Sequence, residues 1–125
     1  MKAHVVESLE QQRARNAWSC CATCTEEYKR VAKGTPAMIM GSGLMQTLAF
    51  MESRKNIEAQ QRVATDMRAW LHARYPNLFV SKDYKGFMES LMRLSSTNYQ
   101  TATVEALSWL KWLRQLAGTT GGASS

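Results

Sequence analysis

The sequence predicts an all-α fold: a single-domain bundle of five to six helices with a long N-terminal helix. Three observations carry this. Apolar residues recur at three- and four-residue spacings through almost the whole chain. No segment sustains the two-residue alternation of a half-buried strand. Two prolines and seven glycines are all that interrupt 125 residues, and 45% apolar with 21% charged residues are the proportions of an ordinary globular protein. The length fits one domain, because two would each fall near the size where a lone core is marginal. Residues 1–117 are the expected helical domain, and residues 118–125 a flexible C-terminal tail too small and polar to pack.

The first helix is expected from about Ala3 to Lys33. Its residues Ala14, Ala17, Cys21, Cys24, Tyr28 and Val31 alternate three- and four-residue steps and lay a narrow apolar stripe on one face. Gly34 suits the position just past a helix end, and Thr35-Pro36 the cap and first turn of a short helix to Met40. Gly41-Ser42-Gly43 breaks that helix, and Leu44 to Arg54 resumes. Leu44, Met45, Leu48, Ala49, Phe50 and Met51 cover most of its circumference, the mark of a helix surrounded by protein. Asn56 is the expected cap of a helix from Ile57 to Tyr75, with Ala64, Met67, Trp70 and Leu71 on its core face and Pro76 as its stop. A loop then leads to Tyr84–Leu94. Thr97 followed three residues later by Gln100 has capping-box spacing and opens the last helix, which runs to Ala117.

From Gly34 to Met51 run eighteen residues without a formal charge, close to the length of a membrane span. Gly34-Thr35-Pro36, Gly41-Ser42-Gly43, Gln46 and Thr47 interrupt it, so short buried helices are expected and no membrane contact. Met1 to Gln12 carries Glu7 and Glu10 without an apolar run, so no signal peptide is visible. Three clustered cysteines do not make a disulfide framework; reduced thiols in a cytoplasmic protein are the simpler expectation.

Little catalytic chemistry is suggested. Cys20-Cys21-x-x-Cys24 lacks the fourth ligand of a tetrahedral zinc site, since no second cysteine pair exists and the only histidines are His4 and His72. Cys21 and Cys24 lie on the apolar stripe, where buried thiols pack as small hydrophobes. Gly41-Ser42-Gly43 ahead of a helix can present amides to a phosphate, but no strand precedes it and no Gly-Lys-Ser/Thr follows; a kink between helices is the favoured reading. Neither histidine sits in a nucleophile–base motif. No catalytic residue, metal or cofactor is assigned.

Charge is the more informative feature. Sixteen Lys and Arg against ten Asp and Glu leave +6. Arg30, Lys33, Arg54, Lys55, Arg74, Arg93, Lys111 and Arg114 all fall in or near the expected last turns of helices, where the macrodipole favours cations. That explains placement but not the surplus, which fits contact with a polyanion. Arg13 falls on the apolar side of the first helix, where an unpaired charge is costly. A carboxylate partner is expected, such as Glu58, Asp66 or Glu89, with a direct phosphate contact the alternative. On the last helix Tyr99, Ala102, Ala106, Trp109, Leu110, Leu113 and Ala117 share one face. Val104 and Trp112 point to the far side with Ser108, Lys111 and Gln115. Trp112 there is a candidate interface anchor, or a stacking platform for a base; cover by another part of the same chain is the structural alternative.

Four stretches together carry a resemblance. They are Tyr28-Lys-Arg-Val-Ala-Lys-Gly-Thr-Pro36-Ala-Met-Ile39; Gly43-Leu44-Met-Gln46-Thr47-Leu48-Ala49-Phe50; Gln12-Arg13-Ala14 with Ala17-Trp18; and Glu105-Ala-Leu-Ser-Trp109-Leu-Lys-Trp112-Leu-Arg-Gln-Leu-Ala117. From about Gln11 to Ala117 the chain resembles the small subunit of the type III-B CRISPR effector, the Cmr complex. It departs in having Thr35 where that family often has Leu and Ser42 where it often has Asn, and the cysteine cluster is not part of the family pattern.

The resemblance implies a non-enzymatic, cytoplasmic subunit of an RNA-guided antiviral ribonucleoprotein. Such subunits stack in several copies along the backbone subunits, near the large subunit, and help form the channel where target RNA pairs with guide RNA. The implied partners are Cmr-type backbone and large subunits, neighbouring copies of the chain, guide RNA and target RNA. Clustering selects Lys29, Lys33, Arg54, Lys55, Lys111 and Arg114 as candidate nucleic-acid contacts, and exposure selects Val104 and Trp112 as a candidate protein interface. Two alternatives stand beside this: the small subunit of a type III-A complex, whose motif should lack the Gly-Leu-x-Gln-Thr-Leu-Ala-Phe run, and an unrelated helical adaptor.

Overall fold

The structure, a computed structural model, describes residues 6–119. Among them are six helices and no strand: α1 (Leu9–Cys21), α2 (Glu26–Ser42), α3 (Leu44–Ser53), α4 (Glu58–Arg74), α5 (Tyr84–Arg93) and α6 (Ser96–Thr119). The expected all-α bundle is therefore present. Helix α6 takes in Gly118 and Thr119, and the rest of the expected tail lies outside the described residues.

The single long N-terminal helix is in fact two. Helix α1 opens on a capping box: the Ser8 hydroxyl accepts from the Gln11 amide and the Gln11 side chain accepts from the Ser8 amide. It ends in a turn where the Cys24 N–H donates to the Cys21 carbonyl at 3.3 Å. Thr25 then caps α2, its hydroxyl accepting from the Tyr28 amide at 3.0 Å, with Glu26 and Glu27 in the first turn. The apolar stripe persists across this joint because both helices bury it: Ala17 and Cys21 on one side, Tyr28 and Ala32 on the other.

The expected stop at Gly34 and restart at Pro36 do not occur either. Helix α2 runs through Pro36, which has no N–H for the Ala32 carbonyl. In the same turn the buried Thr35 donates its hydroxyl to the Val31 carbonyl at 2.7 Å. Burial of Ala32, Thr35 and Ile39 holds the helix together against a local penalty of about 3 kcal/mol. The real break is Gly43, at φ +89°, whose amide closes α2 on the Ile39 carbonyl at 2.7 Å.

Helix α3 is less enclosed than expected. Leu44, Thr47, Leu48 and Met51 are buried, but Phe50 is exposed. Asn56 does not cap α4; the N-cap is Ile57, without a side-chain bond. Gln61 instead donates to the Met51 and Glu52 carbonyls and ties α4 to the end of α3. The α4 core face (Ala64, Met67, Trp70, Leu71) is buried as read, and the helix ends before Pro76. Asp83 caps α5 through the Gly86 amide. Ser95, ahead of the expected Thr97, supplies the first hydroxyl of α6, accepting from the Asn98 amide at 3.1 Å.

Helix α6 is the spine. Arg13 meets Glu105, Asn16 meets Trp109 and Cys21 meets the Leu113 carbonyl, so α1 runs parallel to α6. Helix α2 runs antiparallel on the other flank: Lys29 and Lys33 lie by Arg114, and the Met45 amide just past α2 donates to the Tyr99 hydroxyl at 3.0 Å. Helix α4 packs on both α2 and α6. Among the described residues no helix is long and apolar enough to cross a membrane.

Candidate nucleic-acid interface

Glu26, Lys29, Arg30 and Lys33 follow one another at helical neighbour spacing and share one side of α2. Where this side meets the C-terminal part of α6, a cleft of about 270 Å³ is lined by Glu26, Lys29, Arg30, Lys33, Arg114, Ala117 and Gly118. Among the described residues four cations thus face one carboxylate. Lys29 is the most enclosed of them, with 15% of its side chain exposed, and its Nζ sits 3.1 Å from Glu26 Oε2. Arg30 pairs with Glu27 at 3.2 Å, out in solvent. Lys33 and Arg114 are exposed.

Of the six cations selected from sequence, this cleft gathers three: Lys29, Lys33 and Arg114. Arg30, which clustering in the sequence did not select, joins them. Lys111 is exposed on α6 about one turn before Arg114, outside the lining. Arg54 and Lys55 stand in the exposed α3–α4 turn, with the Arg54 guanidinium 4.9 Å from the Phe50 ring centroid. Asn56 and Ile57 of that turn share a second cleft with Thr25 and Glu27, which brings it to the same end of the bundle, beside the start of α2.

The macrodipole account of charge placement needs correction. Arg74 and Arg93, with His72, occupy last turns, and Arg54 and Lys55 stand just past the end of α3, with Arg54 its C-cap. Arg30 and Lys33 lie within α2, and Lys111 and Arg114 within α6, because both helices run further than expected. The cleft cations consequently have no helix-end explanation.

Arg13 is structural. It does pair with a carboxylate, but the partner is Glu105 in place of Glu58, Asp66 or Glu89. Arg13 Nε and Nη2 bind the two Glu105 oxygens at 2.7 and 2.8 Å, and Trp70 Nε1 donates to Oε2 at 3.0 Å. Glu105 is 2% exposed, and its bond holds the Arg13 guanidinium above the ordinary value against the opposing effect of burial. Asp66 is engaged elsewhere, accepting from the Tyr28 hydroxyl at 2.6 Å. A helical wheel carries the missed signal, since Glu105 lies within the arc of Ala102, Ala106 and Trp109.

Burial pushes the thiols of Cys20 and Cys21 up to about 12, so they are protonated at neutral pH and poor nucleophiles there. Among the described residues no group of His, Cys, Asp and Glu has the geometry of a metal site. The first turn of α3, after Gly41-Ser42-Gly43, has its Met45 amide occupied by Tyr99.

Val104 is 55% exposed, as its position on the wheel requires. Trp112 does not stand free on the far side; it is half-buried and packs against the edge of the core. Sequence reading passed over Trp18, a residue 54% exposed on α1.

Fold and surface define a small helical protein in which four cationic residues converge on one cleft between two helices. The sequence model of the CRISPR-associated protein (Cas_Cmr5) family matches residues 9–120, nearly the whole chain, and the chain belongs to that family, the small subunit of the type III-B Cmr complex. The type III-A and adaptor alternatives give way to this. No curated protein matches the chain.

Proposed function

We propose that this subunit is a non-catalytic, cytoplasmic building block that stacks in several copies along the Cmr backbone subunits and contributes a basic strip to the channel holding guide and target RNA. The convergence of Lys29, Arg30, Lys33 and Arg114 on one cleft is the observation that carries the nucleic-acid part. Arg54 and Lys55 extend the strip around the start of α2, and Lys111 extends it along α6. Val104 and the open edge of Trp112 face a neighbouring subunit, backbone, large or another copy. Protonated thiols and a carboxylate locked to Arg13 agree with a role in assembly and binding.

The test is a paired charge reversal, Lys33→Glu with Arg114→Glu, in the reconstituted complex. Target-RNA affinity should fall tenfold or more at physiological salt. The dependence of log affinity on log salt should become shallower by about 0.7 for each single-strand phosphate that is no longer neutralised. Unchanged affinity and slope would remove the cleft from the RNA path.

A further inference from the structure

The basic cleft already contains a small anion of its own. Glu26 projects from the first turn of α2 onto Lys29, the most enclosed cation of the lining, at 3.1 Å. Lys33 and Arg114 line the same space, and among the described residues no other carboxylate does. The next residue makes the outwardly identical pair, Glu27 with Arg30 at 3.2 Å, but there both side chains are about two-thirds exposed or more and Glu27 is absent from the cleft wall. Two adjacent acids on one turn thus form i,i+3 pairs of nearly equal length with cations of the cleft, one carboxylate inside the cleft wall and one outside it.

Resting on the reading of this cleft as an RNA contact, we propose that a backbone phosphate of the bound strand takes the place of the Glu26 carboxylate on Lys29, so that Glu26 is a built-in competitor that sets the affinity of the site. A phosphodiester carries the same single negative charge and two accessible oxygens. Seated among Lys29, Lys33 and Arg114, it meets three cations at once, without the tether that fixes Glu26 to α2. The exchange is open to Glu26 because 56% of its side chain is exposed, so its carboxylate is hydrated when it leaves Lys29. Until Glu26 swings out, its charge lies within a few ångströms of the incoming phosphate and repels it. Glu27 sits on the far side of Arg30, where solvent and salt screen it over a length of about 8 Å at physiological ionic strength.

The two acids supply a matched experiment on the full chain. Glu26→Gln and Glu27→Gln each remove one negative charge from neighbouring positions and leave the net charge equal. Binding of a ten-nucleotide oligouridine is followed by NMR titration at physiological salt, a method that reads weak affinities, with circular dichroism to verify the fold. Glu26→Gln should tighten binding about fivefold, the effect of removing a like charge at close range in a partly hydrated site. Glu27→Gln should change it by less than about twofold, as screening dictates. Equal effects of the two variants would overturn the exchange and leave only bulk charge. The Lys33→Glu/Arg114→Glu variant separates the two levels. If it binds like the parent chain, the RNA reading of the cleft fails and the exchange falls with it; if it binds weakly while Glu26→Gln and Glu27→Gln agree, only the exchange fails.

Discussion

Along α6 the same pairing chemistry is used in two opposite ways. Facing α1, Glu105 is sealed at 2% exposure and receives three hydrogen bonds, two from Arg13 and one from Trp70. Facing α2, Arg114 stands in solvent over a cleft whose ion pair, Lys29–Glu26, rests on an exposed carboxylate. Desolvation makes the difference. A buried carboxylate must keep every partner or be left uncompensated, so the α1 flank behaves as a fixed joint. A carboxylate open to water can give up a partner at lower cost, so the α2 flank stays available to an external anion. Position along one helix thereby separates what holds the fold from what faces outward.

The sharpest way to break this contrast is Arg13→Met, which keeps the apolar stem and removes the charge. Glu105 then has only Trp70, and urea unfolding should show a loss of about 3 kcal/mol, the low end for stripping one partner from a buried pair because Arg13 is itself partly exposed. RNA affinity per folded molecule should stay unchanged. A loss of RNA binding without a loss of stability would assign Arg13 to phosphate contact and erase the distinction between the flanks. The Lys33→Glu/Arg114→Glu variant is its mirror image, with a large effect on binding and, at two exposed sites, stability within about 0.5 kcal/mol of the parent.

Which parts of this were legible beforehand follows from the range of the forces involved. Periodicity located the core faces of α4 and α6, because burial of Met67, Trp70, Trp109 and Leu113 repeats with the helix itself. It could not reveal the α1–α2 joint, since a bundle continues the same spacing through a turn; only the local Thr25-Glu26-Glu27 signal marks it, and a cap is worth about 1 kcal/mol. Pro36 misled for the converse reason, as tertiary burial of Thr35 and Ile39 outweighs a local penalty. The Arg13 partner lies 92 residues away, and only its place on the apolar arc of α6 beside Ala102 and Ala106 marked it. The cleft was half legible: clustering found Lys29, Lys33 and Arg114, and a correct α2 boundary would have added Arg30 by its spacing.

A smaller effect tests how far the α2 flank depends on its own local order. Thr25 supplies the side-chain oxygen that caps the first turn of α2, the turn that presents Glu26 and leads to Lys29. Thr25→Ala should cost about 1 kcal/mol, the usual value of a lost N-cap. Hydrogen exchange should report faster opening at Tyr28 and its neighbours while the α1–α6 contacts keep their protection. Uniform loss of protection in both regions would mean that the joint is a single cooperative unit and that the two flanks are not separable.

The smallest change should raise stability, and it shows why the basic flank is the one left loose. Gly34 sits inside α2 one turn beyond Arg30, and no side chain or distant backbone comes within 4 Å of where its Cβ would be. A glycine in such a position weakens the helix by roughly 0.5–1 kcal/mol relative to alanine. Nothing in the packing of the isolated chain requires it, so Gly34→Ala should gain about that amount in urea unfolding. The gain should appear as added protection across α2 and leave the Arg13–Glu105 flank unaltered. Gly43 is the contrasting case: at φ +89° it is held by the turn itself, and alanine there should destabilise. If Gly34→Ala also destabilises, the outer face of α2 is under a constraint that its open surroundings do not show, and the picture of a rigid α1 flank beside an unoptimised, externally directed α2 flank fails at that point.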